Sequence, residues 1–326
     1  FAPKAKNVIL IYLPGGISHI DTFDYKPDLV KYHGMQTKGE NTITPFFGKP
    51  GAVMKSPWEF KPYGKSGKYV SDLLPHLATR VDDLTFFHSM VARSNAHGPA
   101  IFQMSTGYIF QGFPSVGSWV SYGLGSENQN LPSFVVLPDP RGLPPCGVAN
   151  WGNGFLPAQH QGVMFGDQKN PIADLRAPVA PAVQAASYDL LSQLNEEHLG
   201  AHPGDDALAG RIRAYEMAAR MQVSAPEVTD IQGESEATRE AYGLNDPATR
   251  AYGYNCLLAR RLVERGVRFI ELLTPARPGQ DRWDQHSGLE KGHRINAQST
   301  DKPIAGLLKD LKARGLLDST LVIWGG

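Results

Sequence analysis

The sequence predicts an α/β fold, a mostly parallel sheet with helices on both faces that together make three layers. Three observations predict it. Short β-branched and aliphatic runs alternate with amphipathic stretches, and those runs are continuously apolar, as in strands buried on both faces. Glycines also stand where a helical stretch ends and the next run begins.

Residues 7–13 form one such run, bounded by Pro14-Gly15-Gly16, and read as a central strand. Residues 69–80 carry apolar positions at helical spacing, and residues 84–90 read as a second short buried strand leading into a polar turn at 93–97. Residues 134–137 make a third strand. From about 138 to 181 the chain is rich in Gly, Pro, Asn and Gln without periodicity, which predicts a long loop insertion of the kind that often carries function. Residues 187–221 turn helical, with Leu190, Leu191 and Leu194, then Ile212, Tyr215, Met217 and Met221 on a charged background, so a helical cap or flank is expected over about 187–245. A longer amphipathic helix over 248–265 is stopped by Gly266 and followed by a strand at 267–273. The rhythm closes with a helix over 302–314, stopped by Gly315, and a strand at 319–324.

A single domain spanning 1–326 accommodates these elements. With 41% hydrophobic and 20% charged residues, the composition is that of a soluble globular protein able to bury a sizeable core. Thirty-two basic residues balance 32 acidic ones, so no global field draws the chain to nucleic acid, which is not an expected partner. Two cysteines in unlike surroundings, Cys146 and Cys256, argue against a cysteine-rich zinc site and a disulfide scaffold. No run approaches the ~18 apolar residues of a membrane span. The start at Phe1-Ala2-Pro3-Lys4 looks like a mature amino terminus, and the close at Trp324-Gly325-Gly326 looks like a strand entering a loop, so the domain is expected to be incomplete at its carboxyl end.

In open α/β sheets ligands gather beyond the carboxyl ends of strands, which directs attention to polar residues just after each run. After the first strand, Gly15-Gly16-Ile17-Ser18-His19-Ile20-Asp21 offers a turn that lets backbone approach an ion, with Asp21 as a hard oxygen ligand; the same residues also suit a plain turn and helix cap. Arg93-Ser94-Asn95-Ala96-His97-Gly98-Pro99 opens a short helix, where His97 or Ser94 would face the positive end of the helix dipole, or where Ser94 or Asn95 would simply cap it. Beyond the 267–273 strand comes Trp283-Asp284-Gln285-His286, an Asp and a His two positions apart that can address one divalent ion, with Glu271 on the strand and His293 further on; the same residues also suit a solvated loop and a strand-end glutamate facing solvent.

On Leu13 to Pro27, His97-Gly98-Pro99-Ala100 to Ser105-Thr106-Gly107, Trp283-Asp284-Gln285-His286 and Gly315 to Trp324, the chain resembles the bacterial family of unknown function numbered fifteen-oh-one, which is placed in the alkaline phosphatase and sulfatase superfamily. The resemblance implies a metal-dependent hydrolase of phosphate or sulfate esters, acting on a small-molecule or polysaccharide ester. It implies Asp21, Asp284, His286 and Glu271 as ligands of one or two divalent ions (zinc, calcium or manganese) and His97 at the catalytic position, beside which the residues themselves offer Ser94 and Arg93 as further catalytic groups. His19, His88, His293 and Asn95 are further candidates for holding substrate oxygens. Aligning Thr106-Gly107 with the end of the sulfatase nucleophile motif puts His97 where that motif has Cys or Ser and Ile101 where it has Arg, which speaks against a formylglycine mechanism. His97 is left as metal ligand or nucleophile. Relatives usually carry an export leader, so a periplasmic or extracellular location is implied. The rival expectation is a non-catalytic binding or cell-surface module, with a carbohydrate held at Asn150-Trp151-Gly152-Asn153 as one form of it.

Overall fold

The computed structural model describes residues 2–36, 51–139, 142–166, 171–172, 179–274 and 283–326. Parts of the predicted 138–181 loop, at 140–141, 167–170 and 173–178, lie outside the described residues.

Five strands build the main sheet: β1 (Asn7–Tyr12), β4 (Phe134–Leu137), β5 (Val163–Met164), β6 (Phe269–Leu273) and β7 (Thr320–Gly325). Their order is β5-β4-β6-β1-β7, and every pairing is parallel. All five residues of β6 are buried, four of them apolar and the fifth Glu271, which reflects cover on both faces. One face carries α8 (Arg250–Glu264) and α9 (Leu289–Ala313), which bury Leu257, Leu258, Leu307 and Leu311 with Ile9, Ile11, Ile270 and Leu272. The other carries α3 (His97–Thr106) and α4 (Val116–Leu124), where Ile101 and Val120 pack with Tyr12, Phe134, Val136, Phe269 and Leu273. These are the three layers the sequence predicts.

Several expectations need correction. The helix expected at 69–80 is β3 (Lys68–Ser71), paired antiparallel with β2 (Phe60–Tyr63), followed by one turn of helix, α2 (Pro75–Ala78). Pro75 suits a first helical turn but not a helix interior, and the backbone N–H groups of Lys65 and Ser66 in the hairpin turn donate to Asp82. The buried strand expected at 84–90 does not form: Phe87 and Met90 are about 80% exposed at 80% and 81%, and only Leu84 and Phe86 lean on the core. An apolar run without a ladder partner gains nothing from extension. The predicted insertion contains β5, and the predicted C-terminal helix begins at Leu289, passing through Pro303. The helical flank is α5 (Pro181–Ala201) and α6 (Asp206–Thr229), with α7 (Glu236–Ala241) after it; α1 (Pro27–Lys31) completes the set.

Candidate metal centre

The exit of β6 is tied to the end of β1. Thr274 donates its backbone N–H to Tyr12, Trp283 donates its backbone N–H to Pro14, and the Trp283 indole N–H reaches Thr274 Oγ1 at 3.1 Å. Trp283 is 1% exposed and acts as the plug that returns the chain to the sheet end. Gly15, at φ +100°, passes so close that an added Cβ would stand 2.8 Å from the Asp284 nitrogen and 2.9 Å from that of Trp283. Only glycine tolerates both that backbone angle and that approach. Gln285 lies directly over Gly292 of α9, which holds the same loop from its other side.

These constraints present Asp284 beyond the carboxyl end of the sheet, as parallel sheets place their ligands. His97, the first residue of α3, brings Nε2 to 2.8 Å from Asp284 Oδ2, and His286 brings its own Nε2 to 2.6 Å from the same oxygen. One ligand atom from each of His97, Asp284 and His286 lies within 4.8 Å of the others. Two imidazoles and one carboxylate are a donor set suited to zinc and other divalent ions. Ligand atoms at ~2.0 Å from a tetrahedral ion stand about 3.3 Å apart, so the two rings need only separate slightly from Oδ2 to grip one. The His286 side chain is 67% exposed and that of His97 41%, which leaves the outer side open to solvent.

The other predicted residues are placed differently. Asp21 is buried in the turn that follows β1; its Oδ2 accepts from Ser18 Oγ at 2.5 Å, its carbonyl accepts from Ser71 Oγ, and its Oδ1 is without a hydrogen bond. Glu271 sits in mid-strand on β6, beside Leu10 and Val136, on the face that packs against α3 and α4; burial pushes its carboxyl up to about 8. The structure does not bring it to the cluster. Ser94 Oγ accepts the Ala96 N–H in a local turn, and Ser94 and Asn95 do not cap α3, whose N-cap is Ala96. Arg93 and Asn95 are exposed on the approach to His97. His19 and His88 flank the buried carboxylate of Asp24, at 3.8 and 3.4 Å, together with Lys26 at 2.8 Å. That pairing was not among the sequence expectations, although Asp24 and Lys26 both lie in the Asp21–Pro27 stretch. Asp139, buried at the carboxyl end of β4, was also passed over because Pro138 reads as the start of a loop. Asn150 and Trp151 are 1% and 3% exposed, with the Asn150 amide donating to Pro145 and Gly147, so they offer no surface to a sugar.

A family model described as protein of unknown function (DUF1501) matches residues 5–326. No curated protein and no solved structure matches. Among the described residues, no helix is long and apolar enough to cross a membrane.

Proposed function

Because the chain belongs to the DUF1501 family, whose function is unknown, its site has to be read from chemistry, and we propose that it is a metal-dependent hydrolase of phosphate or sulfate esters of the alkaline phosphatase and sulfatase type. The observation that supports this most is the convergence of His97, Asp284 and His286, from two segments 187 residues apart, on a shared carboxylate oxygen at a sheet's carboxyl end.

In this reading the three side chains would hold one divalent ion, which would supply Lewis acidity at an ester oxygen and favour the deprotonated form of an attacking group. His97 and His286 would contribute an imidazole nitrogen each, and Asp284 the negative charge. His97 thus acts as a ligand here. Arg93, exposed and four residues before His97 in the chain, offers a planar guanidinium whose fork matches a phosphate or sulfate, and Ser94 adds a hydroxyl in the same segment. An exported location, periplasmic or extracellular, belongs to the same proposal and rests on the family resemblance.

The test is a screen of chromogenic phosphate and sulfate monoesters with and without added zinc, manganese or calcium. Turnover that requires a metal and falls at least ~100-fold in Asp284→Asn supports the reading. Metal-independent turnover, or turnover indifferent to that substitution, sinks it.

A further inference from the structure

We infer that His293 is a positioning residue for this centre, holding the loop that carries Asp21 and the tryptophan that precedes Asp284 in one fixed relation. The inference rests on the metal-dependent reading above.

His293 lies on the first turns of α9 and is 1% exposed. Its Nε2 accepts the backbone N–H of Ser18 at 3.1 Å. In a neutral imidazole that acceptor role puts the proton on Nδ1, so neither nitrogen of His293 offers a lone pair to an ion. It is therefore placed to support ligands, not to be one. Its ring meets the Trp283 ring edge-on, with centroids 5.3 Å apart at 80°, and lies 6.1 Å from Trp58. One side chain thereby touches both segments that hold Asp284 in place. Through Ser18 it steadies the turn whose Gly15 lies against the backbone of Trp283 and Asp284, and through Trp283 it steadies the plug on which Asp284 depends.

A merely space-filling role for a buried ring would tolerate an apolar replacement, and a buried histidine costs desolvation that an apolar residue does not. The polar choice gives the part-buried Ser18 N–H its acceptor, although the buried Nδ1 on the other side of the ring has no hydrogen-bond partner. Residues that orient metal ligands typically change metal affinity by about 10–100-fold when replaced.

The experiment compares His293→Gln with His293→Asn. A Gln side chain carries an oxygen near the place of Nε2 and can accept from Ser18; an Asn side chain reaches only the place of Nδ1 and cannot. Zinc affinity is measured by titration calorimetry on the purified protein, and the melting temperature of each metal-free variant is recorded beside it. The inference expects Gln to keep zinc affinity within about threefold and Asn to lose about 10–100-fold, with the two metal-free proteins melting within a few degrees of each other. Equal affinities for both variants and the parent overturn the inference while leaving the metal site standing. An equal loss in both variants, matched by an equal fall in melting temperature, also overturns it, since that is the mark of packing alone. Absence of zinc binding by the parent protein overturns the metal-dependent reading and this inference with it.

Discussion

Glu271→Gln is expected to stabilise the protein at alkaline pH and leave it nearly unchanged at pH 5. Glu271 is 3% exposed on β6, with Leu10 and Val136 as its lateral neighbours, and burial raises its carboxyl from 4.5 to about 8. The folded state therefore binds this proton more tightly than the unfolded chain does. Below pH 4.5 both states are protonated and the residue costs nothing through ionisation. Between 4.5 and 8 the unfolded chain gives up the proton while the folded one keeps it, so stability falls by about 1.4 kcal/mol for each pH step of one. Above pH 8 the whole difference, roughly 5 kcal/mol as an upper bound before local relaxation, is lost. Gln has similar volume and no ionisation. Urea unfolding at intervals from pH 5 to 9 should give a midpoint that falls with pH in the parent relative to the variant, the two diverging across that window. Parallel midpoints would refute the reasoning. A parent midpoint that instead rises with pH and with added zinc would mean that Glu271 is ionised against a cation, as the sequence reading supposed.

Gly15→Ala should cost about 2–4 kcal/mol, because the new Cβ meets backbone nitrogen at 2.8–2.9 Å at a positive φ; Gly16→Ala, also at positive φ but with open space around it, should cost about 1 kcal/mol, and thermal melting separates the two. Arg260→Leu should cost about 2–4 kcal/mol by urea denaturation, since this buried guanidinium meets Glu234 and Glu264 at 2.6 Å and Asp310 at 3.1 Å, and its removal leaves three carboxylates to Arg261 and Arg314 alone; a neutral result would mean that those two cations suffice.

The sheet was legible because its strands are largely apolar and the helices α8 and α9 beside it stop at Gly266 and Gly315. Residues 134–137 need no tertiary knowledge to be read, since burial on both faces leaves no polar position in them, and in 267–273 the apolar run shows through in spite of Arg268 and Glu271. Residues 84–90 show the limit of that signal: apolar character says that a segment can be buried, but only a partner strand decides that it is. The 60–71 hairpin was missed because Tyr69 and Val70 also satisfy a helical spacing, while Gly64 and Gly67, the turn signals, lie outside the window. At the site, the Asp284 and His286 pair was readable as a local motif. Their meeting with His97 was not, because it depends on Gly15 admitting the 283–284 backbone and on Trp283 reaching Thr274, contacts between segments far apart in sequence. Glu271 misled for the opposite reason. Its place on a strand suggested a ligand, but the pleat turns it into the α3–α4 layer.

The central claim is that His97, Asp284 and His286 hold a divalent ion. Elemental analysis of the purified protein, beside the protein carrying Asp284→Ala and His286→Ala together, tests it most directly. Near-stoichiometric zinc, manganese or calcium in the first and its loss from the folded double variant is the predicted result; no bound metal in either, after incubation with all three ions, would contradict it.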